Sequence, residues 1–317
     1  MLTVLFSAPY MIPALDRFAP EMERRGIKLI VPEVHERLPE AEILSYAGRF
    51  DGTICGDDHY TARVLNACAP RLKVISKWGT GIDSIDQQAA ASLGIQVCRT
   101  PNAFTQPVAD SVLGYILAFA RRQPWLDRTM KSGLWQKIQG YSLSERCLGV
   151  IGVGNIGKAV LRRARAFSMQ LLGNDIVEIP QDFIRESGVE MLPLPELLAR
   201  SDYVSLNCDL NPTSYHIINS RTLEMMKPSA VLINTARGPL VCEPDLVEAL
   251  ASGKIAGAAL DVYEHEPLPL DSPLMRMDQV FLAPHNSNSS PGAYERVHRS
   301  TLNNLYAGLG LRLEPGA

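Results

Sequence analysis

The sequence predicts an α/β protein in which one doubly wound parallel sheet is inserted into a smaller α/β domain assembled from both ends of the chain. Three observations carry that expectation. Short, continuous apolar runs alternate with amphipathic stretches along the chain, without a repeat or a low-complexity tract, which is how parallel strands buried on both faces read. A glycine-rich turn, GVGNIG, follows a strong apolar run and opens an amphipathic stretch. After the last apolar run only about 33 residues remain, too few to fold alone.

Taken in order, LTVLF (2–6), GTIC (52–55) and KVIS (73–76) form a first strand series, each followed by turn residues and a helical pattern. Residues 101–122 begin with prolines and carry apolar residues at helical spacing from Val108 onward, so a long connecting helix is expected there. A second series comprises CLGVIG (147–152), QLLGN (170–174), YVSLN (203–207), AVLIN (230–234), GAALDV (257–262) and VFLAP (280–284), with MLPL (191–194) as a weaker member. In the tail, residues 290–309 are amphipathic, with Ser290 at an N-cap and Pro291 at the first helical position. The tail is expected to return to the first series. That assigns residues 1–98 plus 286–317 to the smaller, discontinuous domain and 99–285 to the continuous insert. Two chain crossings would then flank a cleft, a common place for a ligand.

Composition narrows the function. The 317 residues are 46% hydrophobic and 21% charged, with 31 Lys plus Arg against 34 Asp plus Glu and a formal net charge of −3. Such a balance supplies no basic footprint for nucleic acid and no polybasic membrane patch, so a small-molecule partner is favoured over either. The longest apolar run, Val112 to Ala120, falls far short of the roughly 20 residues a bilayer requires. No basic region precedes the first apolar stretch, and Pro9 and Pro13 interrupt any helix there, so a cytoplasmic protein without a secretory signal is expected. The six cysteines show no CxxC and no Cys/His pair at zinc spacing; they read as reduced core residues, and no metal is expected.

The glycine turn has the context of a dinucleotide site. Gly152 permits a tight turn, Gly154 lets the backbone approach a pyrophosphate, and Gly157 permits close helix packing, while the helix N-terminus offers N–H groups to phosphates. The next strand ends at Asp175, 18 residues after Gly157, close to the spacing of about 20 expected for the carboxylate that bonds a ribose 2′-OH. It would repel a 2′-phosphate, so NAD (NADH) is expected in preference to NADP. Arg162, Arg163 and Arg165 lie beyond the first helical turn and are expected on its solvated face.

Ligands of open parallel sheets meet the carboxyl ends of strands. Arg237 follows AVLINTA, Glu266 lies five residues after Asp261, and His285 follows VFLAP, so all three are delivered to one edge of one sheet. Hydride transfer on a 2-keto or 2-hydroxy acid needs a cation for the carboxylate, an acid/base for the carbonyl or hydroxyl oxygen, and a partner that keeps the base protonated. A guanidinium forks onto a carboxylate, an imidazole titrates near neutrality, and a neighbouring carboxylate favours its cation.

With these residues in place, the sequence resembles the D-isomer-specific 2-hydroxyacid dehydrogenase family, which includes phosphoglycerate, glycerate/glyoxylate, lactate and formate dehydrogenases. The matching stretches are KWGTGIDSID, VADSVLGYILAFAR, GVIGVGNIGKAV, INTARGPLV, EALASGKIAGAALDVYEHEP and LAPHNSNSS, and they span nearly the whole chain. The resemblance implies a Rossmann domain inserted into a smaller flavodoxin-like substrate domain, a homodimer, and a small anionic 2-hydroxy or 2-keto acid as substrate. It implies Arg237 for carboxylate and carbonyl orientation, His285 as acid/base, and Glu266 as its pKa-raising partner. Cofactor contacts are implied from Thr80, Gly152, Gly154, Asn155, Ile156, Gly157, Asp175, Cys208, Thr235, Ala236 and Asp261, and substrate contacts from backbone amides of the loop bearing Lys77, Trp78 and Gly79. Trp135 matches a position that lines a neighbour's site in the dimer, with a core position as the alternative. Two departures stand out. Asn207-Cys208-Asp209-Leu210 replaces a histidine and a proline that usually flank the cofactor-contacting position. Cys55-Gly56-Asp57-Asp58-His59 stands where phosphoglycerate dehydrogenases place an arginine and a serine for the substrate phosphate, which leaves Lys77 as a point charge for an anionic tail. A dinucleotide-sensing corepressor-like interaction protein without physiological turnover is the alternative function; the absence of long disordered tails and of a basic cluster argues against it.

Overall fold

The apolar runs become strands because each is covered on both faces. A computed structural model describes residues 1–312; residues 313–317, counted above with the smaller domain, lie outside the described residues. The strands are β1 (Leu2–Phe6), β2 (Ile27–Ile30), β3 (Gly52–Cys55), β4 (Val74–Lys77), β5 (Gln96–Cys98), β6 (Cys147–Ile151), β7 (Gln170–Asn174), β8 (Glu190–Met191), β9 (Tyr203–Leu206), β10 (Val231–Asn234), β11 (Gly257–Leu260) and β12 (Val280–Leu282). They form a five-stranded sheet in the order β2-β1-β3-β4-β5 and a seven-stranded sheet in the order β12-β11-β10-β9-β6-β7-β8. All pairings are parallel. The smaller order is the flavodoxin-like one, and the larger reverses direction between β6 and β9.

In the larger sheet the two-residue side-chain period divides the strands between two cores. Leu148 and Val150 of β6, Leu171 of β7 and Ile233 of β10 pack into one core, with the helices Thr105–Ala120 and Asn155–Ala166. Cys147, Ile151, Leu172, Leu232 and Leu260 point into the other, with Leu197, Leu198, Leu246 and Leu250 of the helices Leu194–Arg200 and Glu243–Ala251. The long connecting helix spans Thr105–Ala120, and Val108, Ala109, Val112, Leu113, Ile116, Phe119 and Ala120 are buried within the chain itself.

In the smaller sheet Leu5, Cys55 and Ile75 enter a core with Val64 and Leu65. The C-terminal helix, Pro291–Gly308, lies against β3 and β4: a Cβ on Gly52 would meet Leu305 at 2.9 Å, one on Gly308 would meet Val74 at 2.4 Å, and Ser76 Oγ donates to the Thr301 carbonyl at 2.7 Å. Ser290 occupies the N-cap with Pro291 behind it, but its hydroxyl makes no capping bond.

Contacts divide the chain into Met1–Phe104 with the segment from Ser290 onward, and Thr105–Ser289. Both divisions fall later than residues 98/99 and 285/286. Residues up to 104 stay with the smaller unit because Thr100 N and Oγ1 donate to the Gly79 carbonyl and Phe104 packs on Trp78. Residues 286–289 stay with the larger because Asn286 N and Ser287 N donate to Asp261. Among the described residues, no helix is long and apolar enough to cross a membrane.

Candidate active site

At the point where the larger sheet reverses, the turns after β6 and β9 touch. Gly152 has φ +89°, and a Cβ there would stand 2.4 Å from Cys208 N, so neither the conformation nor the space admits a side chain. Gly157 is required by the same turn: its Cβ would lie 2.1 Å from the Gly152 carbonyl oxygen, which fixes the helix Asn155–Ala166 against the sheet. Gly154, the N-cap of that helix, has nothing within 4 Å of its Cβ position. The turn is therefore closed where it packs and open where the helix presents its N–H groups, the arrangement that receives a pyrophosphate.

Asp175, just past β7, accepts from Val153 N at 2.6 Å and from Val177 N at 3.0 Å, which sets its carboxylate beside the glycine turn. The exposed side chains of Ile176 and Val177 adjoin it. Cys208 contributes mainly its backbone; burial pushes its thiol up to about 11, so it stands as a neutral thiol. All six cysteines are unpaired thiols. Arg162 pairs with Glu186, and Arg163 with Asp110 and Gln106, on the exposed helix face.

After β10, Asn234 shapes the loop that carries the arginine. Its Oδ1 accepts from Ala236 N at 3.1 Å and its Nδ2 donates to the Arg237 carbonyl at 2.8 Å. Gly238 follows because a Cβ there would overlap the Tyr263 carbonyl, 1.8 Å away. Thr235 Oγ1 and Asn207 Oδ1 are buried without a hydrogen-bond partner among the described residues. Buried polar atoms are rarely left so. Together with the open Gly154 cradle and Asp175, these two atoms fit a polar dinucleotide along this edge.

The His285–Glu266 pair forms within the larger unit. His285 Nδ1 lies 3.0 Å from Glu266 Oε2, and Glu266 Oε1 accepts from Tyr263 N at 3.0 Å. His285 has φ +51°, a conformation that costs a non-glycine residue about 1–2 kcal/mol. Asp261 imposes it. Its carbonyl accepts from His285 N at 2.8 Å, and its two carboxylate oxygens accept from Asn286 N and Ser287 N at 2.8 Å each. Tyr263 Oη ties the same strand ends by donating to the carbonyls of Leu260 and Ala283. A buried carboxylate, one tyrosine and one backbone bond thus hold a strained histidine in one orientation, and strain held this way marks functional positions. Asp261 was expected as a cofactor contact; the structure gives both its oxygens to the loop that bears His285.

In the smaller unit, Trp78 is directed inward. Its Nε1 donates to His298 Nδ1 at 2.9 Å, its ring stacks on Tyr10, and Phe104 and Tyr294 close the cluster. Burial holds the His298 imidazole below its usual pKa, in the neutral form that accepts this bond. The Trp78 amide is also engaged, donating to the Cys55 carbonyl at 2.9 Å, because β3–β4 pairing continues one residue past β4. The amides of Gly79, Thr80 and Gly81, by contrast, have no intramolecular partner among the described residues. Thr80 Oγ1 donates to the Thr100 carbonyl at 3.0 Å. Lys77 Nζ is paired with Asp57 at 2.9 Å. Trp135 is 85% exposed, which removes its reading as core.

Asn234 and Asn207, the latter noted only as a departure from the family pattern, and Tyr263 and His298 were given no role from the sequence. The first two carried a usable signal, a polar side chain at the end of a buried apolar strand; Tyr263 and His298 act through partners 20 or more residues away.

Residues 113–287 match the family model described as the NAD binding domain of D-isomer specific 2-hydroxyacid dehydrogenases. A glyoxylate reductase of Korarchaeum cryptofilum is 40% identical over 256 residues, 79% of this chain and 76% of that protein. A D-3-phosphoglycerate dehydrogenase of Methanocaldococcus jannaschii is 39% identical over 264 residues, 82% of this chain and 50% of that protein. Among solved structures, D-lactate dehydrogenase from Aquifex aeolicus complexed with NAD and lactic acid superposes with a TM-score of 0.84 at 27% identity, over 97% of this chain and 95% of that one. Fold, site geometry and these similarities agree that the chain belongs to the D-isomer specific 2-hydroxyacid dehydrogenase family.

Proposed function

We propose that the protein is an NAD-dependent oxidoreductase that interconverts a D-2-hydroxy acid and its 2-keto acid, with Arg237 binding the carboxylate and carbonyl and His285–Glu266 acting as the acid/base pair. The observation that carries this reading is the His285 Nδ1–Glu266 Oε2 contact of 3.0 Å, with His285 fixed by Asp261 at the carboxyl end of β11 and β12. Nicotinamide, when bound, supplies or takes up the hydride. With Glu266 on Nδ1, His285 moves the proton: it gives it to the substrate oxygen in reduction and takes it from the hydroxyl in oxidation. Arg237 orients the acid as a planar fork, and the amides of Gly79, Thr80 and Gly81 donate to its carboxylate.

Thr235, Asn207 and the Gly154 cradle support dinucleotide binding, and Asp175 supports NAD over NADP because its carboxylate stands where a 2′-phosphate would add like charge. The expected homodimer is not carried by the apolar helix at residues 108–120, which the chain's own core buries. It rests on the exposed apolar side chains Met130, Leu134 and Trp135. A cytoplasmic setting belongs to the same reading. The family relatives named above are reductases and dehydrogenases, and no observation favours a corepressor-like role.

Nicotinamide absorbance followed across a panel of 2-keto and 2-hydroxy acids, with NADH and NADPH in parallel, tests the reading. Turnover of at least one such acid, faster with NADH, is expected; dinucleotide-bound protein inert across a broad panel would refute it.

A further inference from the structure

The dehydrogenase reading leaves the tail of the acid open, and the charges at the carboxyl edge of the smaller sheet narrow it. β3 and β4 pair in the register Cys55↔Lys77, so the residues just past β3 lie against the end of β4. Lys77 is buried, with 4% of its side chain exposed, and its Nζ donates to Asp57 Oδ1 at 2.9 Å. The ammonium adjoins the turn that offers its amides: a Cβ on Gly79 would stand 3.7 Å from Nζ. Asp58, fully buried, accepts from the Ser7 hydroxyl and from Leu38 N at 2.9 Å. Burial pushes its carboxyl up to about 6, so it is mostly an anion at neutral pH. The adjoining segment adds Glu36, whose carbonyl lies beside Gly56, and Arg37, whose guanidinium lies against His59. Two carboxylates, Asp57 and Asp58, thus stand with the buried ammonium of Lys77, within electrostatic reach of one another.

We propose that Asp57 is a specificity residue: by holding Lys77 in a buried ion pair on an edge with surplus negative charge, it makes the site take 2-keto and 2-hydroxy acids with an uncharged tail and reject those bearing a second anionic group such as a phosphate. The proposal rests on the dehydrogenase reading and on the substrate carboxylate lying at residues 79–81. A phosphate arriving here competes with Asp57 for Lys77 and meets Asp58 behind it, and like-charge contact away from bulk water is an effective means of rejecting a wrong ligand. Lys77, expected to serve an anionic tail as a point charge, already has its counter-ion. Overall similarity does not make this choice, because the relatives include proteins named for both kinds of acid.

Hydroxypyruvate and 3-phosphohydroxypyruvate differ by one phosphate and test the proposal directly. With NADH, kcat/KM for hydroxypyruvate is expected to exceed that for the phosphorylated acid by at least about tenfold in the wild type. Asp57→Asn keeps an oxygen for Lys77 and removes the charge; it is expected to narrow that ratio by about tenfold, and adding Lys77→Gln to abolish the gain. A wild-type preference for the phosphorylated acid overturns the proposal without any variant, as does an unchanged ratio in folded Asp57→Asn, or in Asp57→Ser should the first fail to fold. If neither acid is turned over, the dehydrogenase reading is what fails. The charge claim is then read by calorimetric titration of NADH-loaded protein with D-glycerate and 3-phospho-D-glycerate: weaker binding of the phosphorylated ligand supports it, and equal or tighter binding overturns it.

Discussion

The two parallel sheets end in loops stabilised by different physics. In the larger unit the loops are held by the absence of side chains, with Gly152, Gly157 and Gly238 each admitting a neighbouring backbone to within a distance no Cβ allows, and by carboxylate-to-amide bonds from Asp175 and Asp261. In the smaller unit the loops are held by buried charge and aromatic packing, through Lys77–Asp57, Asp58–Ser7 and Trp78–His298. Steric closeness tolerates no substitution and is indifferent to pH. Buried charge tolerates neutral isosteres and responds to pH.

The largest expected effect breaks the first half of this contrast. Gly238→Ala would press a methyl into the Tyr263 carbonyl, and denaturant unfolding is expected to show a loss of at least about 3 kcal/mol or no folded protein. Gly154→Ala, with nothing near its Cβ, is expected to leave stability within about 1 kcal/mol while weakening dinucleotide binding. Equal destabilisation by the two variants would contradict the division between packed and open glycines.

Asp58 sharpens the second half. Its folded pKa, raised from 3.8 to about 6 by burial, means that protonation favours the fold. That contribution, about 3 kcal/mol, is fully present below about pH 4 and is lost as pH rises through about 6. Asp58→Asn is expected to flatten this part of the stability–pH profile, measured by urea unfolding at intervals between pH 4 and 7; an unaltered slope would show that Asp58 does not titrate as described. His298 works in the opposite sense. Because its pKa is lowered, its contribution is present above about 6.5 and is lost as pH falls toward the depressed value.

The smallest effect on stability concerns assembly. Trp135→Asp, at an 85% exposed position, is expected to change the unfolding free energy of the chain by no more than about 0.5 kcal/mol while shifting sedimentation toward monomer. A wild type that sediments as a monomer at micromolar concentration would remove the dimer from the account.

The same contrast governs what was legible in the sequence. Strands buried on both faces were legible in either sheet: GTIC of the smaller and QLLGN of the larger match β3 and β7 residue for residue, and CLGVIG overran β6 only at Gly152, whose positive φ ends the strand. β2 and β5 were missed. Both are edge strands of the smaller sheet, where Lys28 and Gln96 are exposed and interrupt the apolar pattern. The helix Gln123–Lys131 buries no residue and left no apolar stripe to read. In the candidate site, Arg237, Glu266 and His285 were legible because each follows a strong strand. The engagement of Lys77 with Asp57 was not, because it depends on the Cys55↔Lys77 register, and a register between strands 22 residues apart is not written in either one.

The central claim is that His285, strained and held by Asp261 and Glu266, moves the substrate proton without helping to bind the dinucleotide. Comparing turnover with NADH affinity in His285→Ala tests it most directly. A fall in kcat of about 10²–10⁴ is expected, with the dissociation constant for NADH within about twofold of wild type. Equal losses in both, or turnover that survives the substitution, would contradict it.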